Sequence, residues 1–134
     1  MTHVLVVDDD ALVRDAIEAA LQNRGYEVTV ADGGEAGLSA LASATFDVML
    51  VDIFMPQMRG FESIRRFHER APEIPLIAMS GYAFANIAPP SPDFHRMAFE
   101  LGASHCLRKP FSTETLLNAI NECLTRPSPS AQLK

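Results

Sequence analysis

The sequence predicts a doubly wound α/β domain built on a five-stranded parallel sheet, and three observations point there. Val48 to Val51 and His3 to Val7 are short, unbroken apolar runs, the mark of strands buried on both faces. Segments with helical apolar spacing separate such runs, giving five βα units. Alternation of that kind produces right-handed crossovers with helices on both faces of the sheet. Finally, polar side chains stand where strands end: Asp8-Asp9, Asp52, Ser80 and Lys109.

The first strand, His3 to Val7, runs into Asp8-Asp9-Asp10. Asp10 is placed to cap a helix in which Leu12, Val13, Ala16, Ile17, Ala20 and Leu21 recur at three- and four-residue spacing, predicting one apolar stripe. Gly25 stops that helix. Tyr26 to Val30 is a short strand, Asp32-Gly33-Gly34 a loop, and Glu35 to Ala42 a helix weakened by Gly37. The third strand ends on Asp52, and Pro56, which lacks a backbone donor, closes it. Gly60 gives the turn into a helix reaching Arg70, with Phe61, Ile64 and Phe67 on its inner face.

Pro75 to Met79 is the fourth strand, ending at Ser80-Gly81. Residues 82–93 are rich in proline and read as irregular, and Phe94 to Leu101 forms a short helix. Ser104 to Arg108 is the fifth strand, ending at Lys109-Pro110. Ser112 caps a last helix with Leu116, Leu117, Ile120 and Leu124 on one face. Residues 1–125 therefore make one domain, and the Pro/Ser-rich tail 126–134 is expected to be disordered.

Composition narrows the function. A chain of 134 residues holds one core and little more. A formal charge of −6 offers no basic footprint, so direct nucleic-acid binding is not expected. The apolar runs are strand-sized, which gives no membrane-spanning helix, and Met1-Thr2-His3 enters the first strand without a signal-peptide pattern. Cys106 and Cys123 lack metal-ligand spacing and read as reduced core thiols of a cytoplasmic protein.

The strand ends carry the chemistry. In a parallel sheet their C-termini share one edge, so Asp8, Asp9, Asp52, Ser80 and Lys109 face a common cleft. Crowded carboxylates raise one another's pKa, a conflict that a hard divalent cation such as Mg²⁺ removes. Lysine and a hydroxyl suit an incoming phosphoryl group. A carboxylate nucleophile beside Mg²⁺ and lysine is the chemistry of acyl-phosphate formation. Each residue alone has a plainer role, as helix start, turn or strand end. Their joint placement is what those roles leave unexplained.

With these residues in view, the sequence resembles a response-regulator receiver domain of the single-domain, chemotaxis-regulator-like type, the phospho-accepting half of two-component signalling. The resemblance runs from His3 to about Leu124 and is carried by Val4 to Asp10, Met49 to Gly60, Ser80-Gly81, Gly102-Ala103 and Leu107 to Phe111. It implies a flavodoxin-like (βα)5 fold with strand order 2-1-3-4-5. It also implies that Asp52 accepts a phosphoryl group from a histidine kinase or histidine phosphotransfer protein. Mg²⁺ is then held by Asp9, Asp52 and the backbone carbonyl of Phe54, with Asp8 joining through water. Ser80 is the implied switch hydroxyl and Lys109 the contact to the phosphoryl oxygens, aimed by a cis Lys109-Pro110 bond. An unknown downstream protein would read the switch on the face made by the fourth helix, fifth strand and last helix.

Departures from the family pattern define further expectations. Cys106 stands where the family usually has an aromatic that moves with the switch hydroxyl. The stretch from Ser80 to Lys109 is longer than usual, with the excess in residues 83–92. By the resemblance, Phe54 and Tyr82, two places after the acceptor and the switch hydroxyl, border the path of an attacking water. Both are large aromatics, which predicts slow self-dephosphorylation. No output domain follows in this sequence, so it reads as a stand-alone switch rather than an enzyme beyond its own phosphoryl transfer and hydrolysis. Two alternatives compete: a haloacid-dehalogenase-type phosphatase with Asp8 as nucleophile, and a constitutive interaction module that keeps the fold without the switch.

Overall fold

The apolar runs pair into one parallel sheet. In the computed structural model, which describes residues 1–80 and 92–125, the chain forms β1 (His3–Val7), α1 (Ala11–Gln22), β2 (Glu27–Ala31), α2 (Gly34–Ser43) and β3 (Val48–Asp52). A small antiparallel ribbon of β4 (Phe54–Met55) and β5 (Met58–Arg59) follows, then α3 (Phe61–Arg70) and β6 (Leu76–Ser80). The chain continues with α4 (Pro92–Glu100), β7 (His105–Arg108) and α5 (Thr113–Thr125). The main sheet has the order β2-β1-β3-β6-β7, which is the expected 2-1-3-4-5 once the ribbon is set aside. Tyr82, most of the proline-rich segment around it and the tail 126–134 lie outside the described residues.

Strand alternation divides the core. Leu5, Val7, Met49, Val51, Leu76 and Ala78 face Ile64 and Phe67 of α3 and Ala98 of α4, with Leu38 and Leu41 of α2 alongside. Val4, Val6, Val48, Leu50, Ile77 and Met79 face Ile17 and Leu21 of α1 and Leu116, Ala119, Ile120 and Cys123 of α5. The central strands thus lack a polar side because both faces are covered. Full burial of each such side chain contributes about 1.5–3 kcal/mol. Cys123 is buried on one face, and Cys106 is half-buried against the other; neither forms a disulfide.

Two predicted stripes are narrower than their periodicity suggests. Leu12 is 79% exposed and Ala16 is also exposed, so α1 meets the sheet through Val13, Ile17 and Leu21. Leu12 and Ala16 instead line an open groove with Lys109, Pro110 and Phe111. In α5 the buried stripe is Leu116, Ala119, Ile120 and Cys123, while Leu124 turns outward and is 36% exposed. An α-helix advances 100° per residue, and Leu124 is one residue past the covered arc.

Gly37 is a packing requirement rather than a weakness. A Cβ there would lie 2.8 Å from both Phe67 Cζ and Val7 Cγ2, so the missing side chain lets α2 approach β1 and α3. Gly60, at φ +62°, makes the left-handed turn that brings the chain from the ribbon into α3. Alanine at position 37 gains up to about 1 kcal/mol of helix propensity but must displace a closely packed core. Gly37→Ala should therefore destabilise the domain by about 1–3 kcal/mol in urea unfolding. Gly33→Ala, where a Cβ meets nothing within 4 Å, should stay within about 0.5 kcal/mol of wild type. A Gly37→Ala variant more stable than wild type would contradict the close approach.

Candidate functional site

Register places the polar strand ends side by side. Val7 pairs with Val51, Asp52 with Met79 and Ser80 with Arg108, so Asp8, Asp52, Ser80 and Lys109 emerge on one edge. The Lys109 N–H donates to the Ser80 carbonyl at 2.8 Å, which ties the last two together. The Lys109-Pro110 bond is cis.

Asp8 is fully buried and held throughout. Its N–H donates to Ala31 O at 3.1 Å. Its Oδ1 accepts from Asp10 N–H at 2.9 Å, and its Oδ2 accepts from Lys109 Nζ at 2.6 Å. Asp10 in turn caps α1 by accepting from Leu12 N–H at 2.9 Å. Asp52, also buried, accepts from Phe54 N–H at 3.1 Å and lies 3.5 Å from Lys109 Nζ. Asp9 is exposed, yet carboxylate oxygens of Asp8, Asp9 and Asp52 all lie within 4.8 Å of one another.

Burial pushes the Asp52 carboxyl up to about 6; the Lys109 ammonium pulls it down, Asp8 pushes it up again, and the Phe54 N–H and Asp9 make smaller opposing contributions. The group is still mostly ionised at neutral pH, and more basic than an ordinary carboxylate. Inside the cleft one ammonium, only 15% exposed, faces three carboxylates. A set of oxygen donors with excess negative charge fits a hard divalent cation such as Mg²⁺.

A profile of the response regulator receiver domain matches residues 4–121. The chain belongs to this family. It is 31% identical over 130 residues to the transcriptional regulatory protein FixJ of Bradyrhizobium diazoefficiens, covering 97% of this chain and 60% of FixJ. It is 32% identical over 126 residues to the response regulator SaeR of Staphylococcus aureus, covering 94% of this chain and 52% of SaeR. The chain thus spans about half to three fifths of these relatives. Among solved structures, a CheY-like receiver domain protein from Methanospirillum hungatei superposes with a TM-score of 0.80 at 30% identity, over 92% of this chain and 94% of that one.

The receiver domain brings Asp8, Asp9, Asp52 and Lys109 together as the strand ends predicted. Ser80 is half-buried at the end of β6, and Cys106 is half-buried on β7, where burial pushes its thiol up to about 11. Phe54 is half-buried in β4, two residues beyond Asp52. Both carboxylate oxygens of Asp8 are engaged, one by Asp10 N–H and one by Lys109 Nζ. Two residues escaped the sequence reading. Ser63 is fully buried and donates from Oγ to Met58 O at 2.6 Å, bracing the ribbon after Asp52. Arg14 donates from Nη1 to the carbonyl of Asp8 at 2.7 Å. Its only signal was an arginine six residues past Asp8, one turn into a helix that Asp10 caps. Among the described residues no helix is long and apolar enough to cross a membrane.

The raised Asp52 carboxyl makes a pH prediction. The folded state holds this proton more tightly than the unfolded state, so stability falls as pH rises from about 4 to about 6 and stays low above that. The penalty is on the order of 2–3 kcal/mol. Urea unfolding without divalent metal should show Asp52→Asn gaining on wild type by that amount between pH 4 and 7. A difference between the two proteins that does not change with pH would contradict the assignment.

Proposed function

We propose that this receiver is a stand-alone phosphorylation switch, in which Asp52 accepts a phosphoryl group from a histidine kinase or histidine phosphotransfer protein. The observation that carries the reading is the meeting of three carboxylates within 4.8 Å of one another, with Lys109 against Asp8 and Asp52.

Each residue then has a task. The Asp52 carboxylate attacks the phosphorus of a phosphohistidine; the new O–P bond forms as the N–P bond breaks, and the departing imidazole takes up a proton. The basicity that burial gives Asp52 favours its nucleophilic role, while Lys109 keeps it ionised. Asp9, Asp52 and the Phe54 carbonyl would hold Mg²⁺, with Asp8 beside them, and the ion would supply positive charge for the phosphoryl oxygens. Asp8 holds Lys109 in reach of those oxygens. Ser80 offers its hydroxyl as the switch group, tied to Lys109 through the main chain.

The output is partner binding. Met97 and Phe99 of α4 are 45% and 49% exposed, and His105 of β7 pairs with Glu122 of α5 at 3.0 Å. Cys106 replaces the aromatic that would couple the α4–β7–α5 face to Ser80, so coupling runs through Ser80 and the segment after it. Beyond its own phosphoryl transfer and slow hydrolysis, no enzymatic activity is assigned. Reduced thiols and an acidic surface suit a cytoplasmic setting.

Incubation with acetyl phosphate and Mg²⁺, followed by intact-mass measurement, tests the acceptor. Wild type should gain one phosphoryl group and Asp52→Asn none, while Asp8→Asn and Asp9→Asn should react about 10–100-fold more slowly and need more Mg²⁺. Label retained in Asp52→Asn and lost in Asp8→Asn would favour the phosphatase-type chemistry. A wild type that takes no label would leave a constitutive binding module.

The lifetime of the phosphoryl group is a separate outcome. Phe54 is half-buried two residues past Asp52, and the family resemblance gives Tyr82 the matching place after Ser80; two aromatics there leave water unpositioned, so wild type should lose phosphate slowly. Phe54→Asn and Tyr82→Glu, singly and together, should speed that loss in a time course of intact mass. A double variant that decays at the wild-type rate would remove the shielding role.

A further inference from the structure

Phosphoryl transfer leaves Arg14 without a role, yet it contacts the main chain of Asp8, a member of the acid cluster. Its Nη1 donates to the Asp8 main-chain carbonyl at 2.7 Å, from the second turn of α1 back onto the end of β1. Every polar group of Asp8 is thereby engaged: the N–H by Ala31, the two carboxylate oxygens by Asp10 and Lys109, and the carbonyl by Arg14. Asp9 differs. It is exposed, and among the described residues no donor holds its carboxylate. What the structure fixes for Asp9 is therefore the direction of its Cα–Cβ bond, set by the main chain on either side.

We propose that Arg14 is a positioning residue for the cation site: by holding the Asp8 carbonyl it fixes the Asp8–Asp9 peptide plane, and so aims the Asp9 carboxylate into the cluster. This rests on the Mg²⁺ reading above. An arginine suits the task because its guanidinium stays charged at every working pH, reaches far along a helix surface and donates in a fixed plane. The same positive charge opposes a nearby cation. Positioning and bare charge therefore predict opposite signs when Arg14 is removed. Positioning predicts weaker Mg²⁺ binding, and repulsion alone predicts tighter binding.

Calorimetric titration of the full chain with Mg²⁺ reads the difference directly. It compares wild type, Arg14→Met and Arg14→Lys, each also in an Asp9→Asn background, with metal-free melting as the check on folding. Arg14→Met should raise the Mg²⁺ Kd about tenfold, as loss of a group that orients a metal ligand commonly does. Arg14→Lys, the milder change, should recover part of this, because an ammonium can donate to the same carbonyl. With Asp9→Asn in place, Arg14→Met should change Kd by less than about twofold, since the ligand it aims is gone. Tighter or unchanged binding in Arg14→Met, or an equal loss with and without Asp9, would overturn the positioning role while leaving the cation site standing. A wild type that binds no Mg²⁺ would overturn the metal reading, and Arg14's role with it.

Discussion

Three carboxylates and one ammonium at the edge of a parallel sheet set the terms for the rest of this structure. Asp8 and Asp52 are buried where water cannot spread their charge, and Asp9 brings a third negative group to the same place. Lys109 relieves part of the conflict from between the two buried acids, at 2.6 Å and 3.5 Å. Burial first, and the Asp8 charge after it, leave the Asp52 carboxyl raised. An arrangement that repels itself persists only when the surrounding fold over-determines it. β3, fully buried, and β1, buried from Val4 onward, are covered on both faces and provide that rigidity.

The same constraint links fold to chemistry. A carboxylate made more basic by burial is a better nucleophile, and a cluster with surplus negative charge has affinity to spare for a divalent cation and for a group arriving with it. On the proposed reading, stability given up at the strand ends becomes reactivity at Asp52. Asp8 contributes without exposing any surface, because it fixes both the lysine and the start of α1. Ser63 braces the ribbon after Asp52 in a similar way from behind.

Much of this was legible in the residues. Continuous apolar runs gave the strands, and alternation with helical segments gave the crossovers, because a parallel sheet covered on both faces leaves no polar side to disguise the pattern. The residues at the strand ends were readable for the same reason: topology alone brings them to one edge. Periodicity was less informative about coverage. Leu12 and Leu124 fit a helical stripe, yet each lies beyond the arc that a neighbour covers. Gly37 read as a helix weakness because propensity is local, whereas its contacts with Val7 and Phe67 depend on where two other elements pack. Arg14 was missed because its partner is a backbone carbonyl, and no side-chain pattern records one.

If repulsion among Asp8, Asp9 and Asp52 organises the site, a divalent cation that binds only the folded state must stabilise it by mass action. Melting temperature measured against Mg²⁺ concentration reads this. Wild type should melt at steadily higher temperature as Mg²⁺ rises into the millimolar range, and Asp9→Asn should show a much smaller rise. No shift in wild type, or an equal shift in both proteins, would contradict the account.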